Sequence, residues 1–232
     1  MTGTIINVIA IVGGSTLGLL FGARLSDKLK STIISGMGLF LVAMGLQMFL
    51  KTENSLVVLG ALLFGTLLGE WWGIEDGLHR LGVFLESKFS REEDDGSNRF
   101  VRGFLTASLL FCIGPVAILG SIQDGLTGDS NLLVIKSVLD GFASLAFAST
   151  LGIGVAFSAL IIFFYQGGIS LLAGQLNAIV TPSMMNELTA AGGILLMGIG
   201  ISNLLEIKKI RVGNMLPAVF IAPLIVWVMS LF

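Results

Sequence analysis

Two ionisable residues, Lys136 and Asp140, lie inside an otherwise apolar stretch, LLVIKSVLDGFASLAFAS (132–149). Because they are four residues apart, a helix would place both side chains on one face, where their charges can neutralise each other. Charged groups at membrane depth are costly, and they commonly face a cavity, a partner or a transport pathway. We therefore predict that Asp140 is a coupling-ion or proton site with Lys136 beside it. A purely structural ion pair is the alternative.

A second apolar stretch, FCIGPVAILGSIQDG (111–125), contains Gly114 and Pro115. Proline removes a backbone donor and clashes with the preceding turn, so the sequence predicts a kink or an opening in the helix. Freed carbonyl groups are tolerated at membrane depth only where protein or a water-filled cavity covers them. Two interpretations stay open, a packed proline kink and a discontinuous helix that lines a site. Gln123 and Asp124 end the stretch, either as the outer mouth of a pathway or as a helix cap.

Further polar side chains fall within the apolar segments. Serines such as Ser108 and Ser144 commonly bond to their own helix or to neighbouring helices. Gln47 and Asn203 are bulkier and are better candidates for a helix interface. The pathway hypothesis comprises Asp140, Lys136, Gly114, Pro115, Gln123, Asp124, Ser108, Ser144, Gln47 and Asn203.

Metal, cofactor and enzyme chemistry find little support in the sequence. Cys112 is the only cysteine and His79 the only histidine, which excludes a Cys/His zinc cluster and a disulfide within the chain. Motifs of zinc proteases, serine hydrolases and phosphate-binding loops are absent. We expect no metal, no cofactor and no enzymatic activity.

The elements that must position these residues are membrane-spanning helices. The chain has 232 residues, of which 54% are hydrophobic and 12% are charged. Its mean hydropathy is +0.95, which indicates an integral membrane protein. The net charge of −2 leaves no basic face for nucleic acid. Runs long enough to cross a bilayer lie at 4–22, 32–50, 55–73, 103–122, 132–149, 150–173, 188–205 and 213–231.

The distribution of basic residues orients these runs. Eleven of the thirteen Lys and Arg residues fall after the first run, between the third and fourth, or between the last two. Cytoplasmic loops are enriched in such residues, so the pattern predicts an all-α fold with eight crossings and both termini outside. For the run 132–149, a re-entrant segment is the alternative to a full crossing. Within the polar interval 74–100, we predict an interfacial helix at 74–89 and a solvated linker at 90–98.

Three pairs of segments resemble each other in the same order along the chain. Residues 35–50 align with 190–205, placing Gly38 on Gly193 and Gly45 on Gly200. Residues 17–22 align with 169–174, and 59–68 with 216–225. With the predicted orientation this is an inverted repeat, a frequent architecture of secondary transporters. We predict one membrane domain made of a first half, 1–122, and an inverted second half, 132–232.

Gly14, Gly18 and Gly22 recur every four residues in the first run. Small residues at this spacing let another helix approach closely. The pattern predicts close helix packing, and it is also compatible with a homo-oligomer formed through this face.

The strings LLFCIGPVAILGSIQDGLTGD, IKSVLDGFASLAFASTLGIGV and GTIINVIAIVGGSTLG resemble a bacterial inner-membrane family known as domain of unknown function 554, the YdfK/YqgA-like proteins. The resemblance covers essentially the whole chain. It implies a multi-pass protein of the bacterial plasma membrane and supplies no substrate or reaction. Our leading hypothesis is a secondary transporter of a small polar solute or ion. An oligomeric channel and a non-transporting assembly or sensor protein are the alternatives.

Overall fold

The computed structural model describes residues 1–89, 96–177 and 180–231, and in these ranges the regular structure is entirely helical. A π-helical segment, Gly200–Leu204, continues α10, and a short 3₁₀ helix, Val212–Met215, precedes α11. The helices are α1 (Thr2–Gly22), α2 (Asp27–Phe49), α3 (Ser55–Trp72), α4 (Ile74–Phe89), α5 (Gly96–Cys112), α6 (Pro115–Thr127), α7 (Asn131–Leu151), α8 (Gly154–Leu171), α9 (Ala173–Asn177), α10 (Pro182–Ile199) and α11 (Pro217–Met229).

Seven helices in the described part of the chain are long and apolar enough to cross a membrane. They are α1, α2, α3, α7, α8, α10 with its π-helical continuation, and α11. The run 132–149, for which a re-entrant segment was the alternative, is a complete helix of 21 residues, Asn131–Leu151. At about 1.5 Å per residue, a helix of this length reaches across the hydrocarbon core.

The predicted run 103–122 is two helices instead of one. α5 ends at Cys112, α6 begins at Pro115, and their axes differ in direction by 64°. Gly114 has a φ of 136°, which side chains with a Cβ atom rarely adopt, and Pro115 suits the first turn of the next helix. The predicted break is thus a sharp one.

The two ends of this broken pair lie at opposite ends of α8. Near its start, Phe100 contacts Gly154 at the beginning of α8. Near its end, Gly125 contacts Ser170 in the last turn of α8. A re-entrant loop would return both of its ends to one end of α8, whereas α5 and α6 together extend along the whole helix. The contacts correspond to a broken span.

Two segments that the sequence predicts as non-helical contain helix in the structure. The predicted runs 150–173 and 188–205 leave 174–187 between them as a loop, but α9 occupies its start and α10 begins at Pro182. Thr181 caps α10, since its hydroxyl accepts a hydrogen bond from the Met184 amide at 3.2 Å. The predicted interfacial helix is present as α4. Of the predicted linker, 96–98 belong to α5 and 90–95 lie outside the described residues.

The chain divides into two compact units. Unit 1 consists of residues 1–34, 79–112 and 116–178, and unit 2 of residues 35–78, 113–115 and 179–232. Unit 1 thus holds α1 and α5 to α9, together with the start of α2 and most of α4. Each unit draws helices from both halves of the sequence.

Unit 1 is built on two parallel helix pairs. Gly14, Gly18 and Gly22 lie against the backbone carbonyl groups of Gly141, Leu145 and Ser149, so α1 and α7 run in the same direction. The second pair is α8 with the broken α5 and α6. Because glycine carries no side chain, the backbones of α1 and α7 approach closely.

Unit 2 is centred on small residues of α3, α10 and α11. Its core consists of Val58, Ala61, Ala190, Ala191, Ala218 and Ala222. In the same unit, α2 and α10 cross closely, with Gly45 against Gly193 and Gly38 against Gly200. From the first contact to the second, the residue number falls along α2 and rises along α10, so the two helices are antiparallel.

Candidate functional site: a buried polar cluster in unit 1

Helix α7 presents its two charges to the interior of unit 1. Lys136 is 7% exposed and Asp140 is 8% exposed. A neighbouring face carries Ile135, Leu139 and Phe142, whose exposed fractions are 60%, 65% and 70%. A helix with one apolar exposed face and one polar buried face suits a membrane position, with lipid on the first face.

A hydrogen-bonded chain of four side chains extends from α7 to α1 and α8. Lys136 pairs with Oδ2 of Asp140. Nδ2 of Asn7 donates to the same oxygen at 3.0 Å and to Oε1 of Gln166 at 3.3 Å. Asn7 and Gln166 are both fully buried. We call Asn7, Lys136, Asp140 and Gln166 the polar cluster.

Two polar atoms of this cluster have no hydrogen-bond partner among the described residues. They are Oδ1 of Asn7 and Nε2 of Gln166. The carboxylate of Asp140 requires a donor, which fixes the orientation of the Asn7 amide. That orientation then requires an acceptor from Gln166, which leaves the Gln166 amide nitrogen unpaired. The cluster therefore holds one unused acceptor and one unused donor in the interior of the unit.

Helix packing explains why Asn7 reaches Asp140. Asn7 lies seven residues before Gly14, two turns away on the same face of α1. The contacts of Gly14 and Gly18 hold α1 close to α7, and the Asn7 side chain reaches Oδ2 of Asp140 across this interface. Gly14, Gly18 and Gly22 form what we call the glycine ladder, and the close packing predicted for them is confirmed. The ladder is covered by α7 of the same chain, and a homo-oligomer stays a prediction.

Hydroxyl groups and one aromatic ring add to this interior. The Lys136 ammonium lies 5.8 Å from the centre of the Phe111 ring, a distance suited to a cation–π contact. Ser108 and Ser144, both predicted pathway residues, are buried in unit 1, and their hydroxyls have no partner among the described residues. Thr4 and Ser15 on α1 share this property.

Asp124 caps the beginning of α1. Its Oδ2 accepts a hydrogen bond from the Gly3 amide at 3.1 Å and lies 3.1 Å from the Met1 amino group. A carboxylate is favourable there because the first turn of a helix carries a partial positive charge. Gln123 donates to Asp129 at 2.8 Å. Both Gln123 and Asp124 lie within α6, which continues to Thr127, beyond the end of the predicted run at 122.

The remaining predicted residues belong to unit 2. Gly114 and Pro115 group with unit 2, and an added Cβ on Gly114 would meet nothing within 4 Å. Gln47 is exposed and Asn203 is half-buried, and both belong to unit 2.

Two members of the polar cluster, Asn7 and Gln166, are absent from the predicted pathway set. A signal for Asn7 exists in the sequence, since it shares a helix face with the glycine ladder and with Ser15. Gln166 has no comparable signal, because hydropathy does not show which face of α8 is buried.

Glu187 of α10 is a buried carboxylate that the sequence reading did not single out. It is 1% exposed and accepts hydrogen bonds from the Thr52 hydroxyl at 2.7 Å, the Glu53 amide at 2.7 Å and the Asn54 amide at 3.0 Å. These donors precede α3. Three donors satisfy the carboxylate, so its role is to fix the connection between α2 and α3 within unit 2.

The turn between α10 and α11 is tied to the start of α4. Glu75 accepts from the Gly213 amide at 2.6 Å, and its own amide donates to Oδ1 of Asn214 at 2.7 Å. Burial raises the pKa of the Glu75 carboxyl, although the Gly213 amide and Arg211 act in the opposite direction. Arg211 also contacts Glu70 at 2.9 Å and Asp76 at 2.6 Å.

Comparison with known proteins places the chain in a family. The sequence profile described as "Protein of unknown function (DUF554)" matches residues 2–227. The chain belongs to this family. A relative from Bacillus subtilis (strain 168), "Uncharacterized membrane protein YdfK", is 34% identical over 236 residues, covering 100% of this chain and 98% of the relative.

A second relative, "Uncharacterized protein YqgA" of Escherichia coli (strain K12), is 31% identical over 221 residues. The match covers 95% of this chain and 94% of the relative. No solved structure matches the chain. Together with the apolar helices, the family confirms a membrane protein.

Proposed function

We propose that this protein is a secondary transporter of a small polar solute or ion in the bacterial plasma membrane, with the polar cluster of unit 1 on its pathway. The observation that carries the proposal is the unused acceptor and donor of Asn7 and Gln166 beside the buried Lys136 and Asp140. Leaving buried polar atoms unpaired is unfavourable, so proteins retain such atoms chiefly where water, an ion or a ligand visits them.

The pattern of helix contacts supports an inverted repeat. If α1 corresponds to α8 and α7 to the broken α5 and α6, the parallel α1–α7 pair corresponds to the parallel pair of α8 with α5 and α6. The glycines of unit 2 show the same symmetry. The repeat aligns Gly38 with Gly193 and Gly45 with Gly200, so it converts the contact of Gly45 with Gly193 into the observed contact of Gly200 with Gly38. Transporters of this architecture bind substrate at interrupted helices.

The topology in the proposal has eight crossings and both termini outside. An even number of crossings follows if α5 and α6 form one broken span, as their contacts with α8 indicate. The basic residues after α1, around α4 and before α11 then lie on one side, in agreement with the enrichment of Lys and Arg in cytoplasmic loops.

Solute counterflow tests the proposal. Liposomes containing the purified protein are loaded with an unlabelled solute, and uptake of the labelled form is measured for a panel of small amino acids, other small polar solutes and monovalent ions. We expect saturable counterflow for at least one member and a loss of about 100-fold or more in Asp140→Asn, because the variant leaves Lys136 without its counter-charge.

Ser137→Ala is the matched control for Asp140→Asn. Ser137 is buried on the same helix, and its hydroxyl bonds to the Leu133 carbonyl of its own helix at 2.6 Å. The control should retain counterflow. Unchanged counterflow in Asp140→Asn, or no counterflow with any member of the panel, contradicts the proposal. Flux that neither saturates nor shows counterflow favours the channel.

The closed Lys136–Asp140 pair also favours a second candidate, a membrane protein that does not transport. In that case the pair only fastens α7 within unit 1. It would then be replaceable by an apolar pair of similar volume with no loss of the cellular role. Lys136→Met combined with Asp140→Leu distinguishes the candidates, since the transporter would lose all counterflow.

A further inference from the structure

We propose that the polar cluster binds a small zwitterion carrying one carboxylate and one primary ammonium group. This inference rests on the proposed function and names its substrate class. The four side chains supply two donors, the Lys136 ammonium and Nε2 of Gln166, and two acceptors, the Asp140 carboxylate and Oδ1 of Asn7. A carboxylate fits the donors and an ammonium fits the acceptors.

The charges of the polar cluster favour a zwitterion over a simple ion as its ligand. Lys136 and Asp140 are both more than nine-tenths buried and neutralise each other. A zwitterion exchanges this ion pair for two new ones and adds no net charge to the interior. A lone anion or cation engages one partner and leaves the other charge unpaired in a region of low dielectric, which is strongly unfavourable.

Hydrogen bonding narrows the class further. The unused oxygen of Asn7 requires a donor, which a primary ammonium supplies and a quaternary ammonium does not. The unused nitrogen of Gln166 requires an acceptor, which a carboxylate supplies and an amide satisfies less strongly because it carries no charge. In the part of the chain that the structure describes, the aromatic contact of the cluster is that of Phe111 with Lys136. A quaternary ammonium would have to compete with Lys136 for this ring.

Thermal stabilisation of the purified protein tests this assignment, because a ligand that binds the native state raises the melting temperature. The probes are glycine, β-alanine, glycine betaine, glycinamide and N-acetylglycine. We expect glycine or β-alanine to bind at least about 10-fold more tightly than the three probes that lack one group. Equal stabilisation by glycine betaine, glycinamide or N-acetylglycine, or no stabilisation by glycine and β-alanine, overturns the inference.

Charge-selective variants provide the second test. Lys136→Gln should shift the preference toward glycinamide, and Asp140→Asn should shift it toward N-acetylglycine. If either variant fails to fold, Gln166→Glu serves instead, because its carboxylate can still accept from Asn7 while the donor is lost. We expect Gln166→Glu to weaken glycine binding and to favour glycinamide. Ser137→Ala should keep the wild-type order, and unchanged preferences in the charge variants contradict the assignment.

The two proposals fail separately. Zwitterion binding without counterflow upholds the assignment of the site and overturns transport. Counterflow of an ion or an uncharged solute, with no stabilisation by glycine or β-alanine, upholds transport and overturns the zwitterion.

Discussion

Nδ2 of Asn7 lies 3.0 Å from Oδ2 of Asp140, although 133 residues separate them in the chain. The contact joins the beginning of α1 to the middle of α7. Asn7 is fully buried and bonds to Gln166 as well, so it is the residue through which the three helices of the polar cluster are connected.

Asn7→Ala is therefore expected to destabilise the protein. The substitution removes the neutral donor to Asp140 and the donor to Gln166, and an unsatisfied buried group costs about 1–3 kcal/mol. The measurement is the thermal melting temperature of the purified protein in detergent. Thr16→Ala is the control, because Thr16 is an exposed residue of α1 that bonds only to its own helix, at the Val12 carbonyl. Equal shifts in the two variants would show that the Asn7 contacts contribute nothing to stability.

The glycine ladder of α1 offers a second test. A Cβ on Gly14 would collide with the carbonyl group of Gly141, whereas a Cβ on Gly13 would meet nothing within 4 Å. Gly14→Ala should therefore separate α1 from α7 and cost about 1–3 kcal/mol, as overpacking does. Gly13→Ala should be neutral or slightly stabilising, since alanine favours a helix. The measurement is the melting temperature of each variant relative to the wild type. A neutral Gly14→Ala would contradict the close approach of the two helices.

Sequence reading predicted the helices well because a bilayer requires long apolar runs. It also located the break at Gly114 and Pro115, whose backbone preferences act locally. The wrong predictions concern the residues at which helices begin and end. Thr181 and Pro182 form a recognisable start of a helix, but the polar residues after them concealed it.

The composition of the polar cluster was predicted only in part. Lys136 and Asp140 are conspicuous because charge is rare at membrane depth. Asn7 and Gln166 become candidates only when the register of α1 and α8 against α7 is known. That register depends on contacts between residues more than a hundred positions apart, such as Gly14 with Gly141, and a single sequence does not contain it.

Gly114→Ala tests the backbone at the break. Gly114 has a φ of 136° and no atom near an added Cβ, so the substitution changes backbone strain without a steric collision. Strain of this kind costs about 1–3 kcal/mol. Gly168→Ala is the matched control, since an added Cβ there also meets nothing within 4 Å and the residue is helical. We expect a lower melting temperature for Gly114→Ala only. Equal melting temperatures would contradict the positive φ of Gly114.

The burial of Glu75 should make stability depend on pH. Burial raises the pKa of the Glu75 carboxyl above its ordinary value of 4.5. The folded protein then holds this proton to a higher pH than the unfolded chain, so its stability falls as pH rises from about 4.5 through the raised value. Glu75→Gln carries no titrating group and keeps an acceptor for the Gly213 amide. Its melting temperature should equal that of the wild type in acid and exceed it increasingly as the pH rises. Glu70→Gln, which removes an exposed partner of Arg211, should show no such gain. A difference between Glu75→Gln and the wild type that does not change with pH would contradict the raised pKa of Glu75.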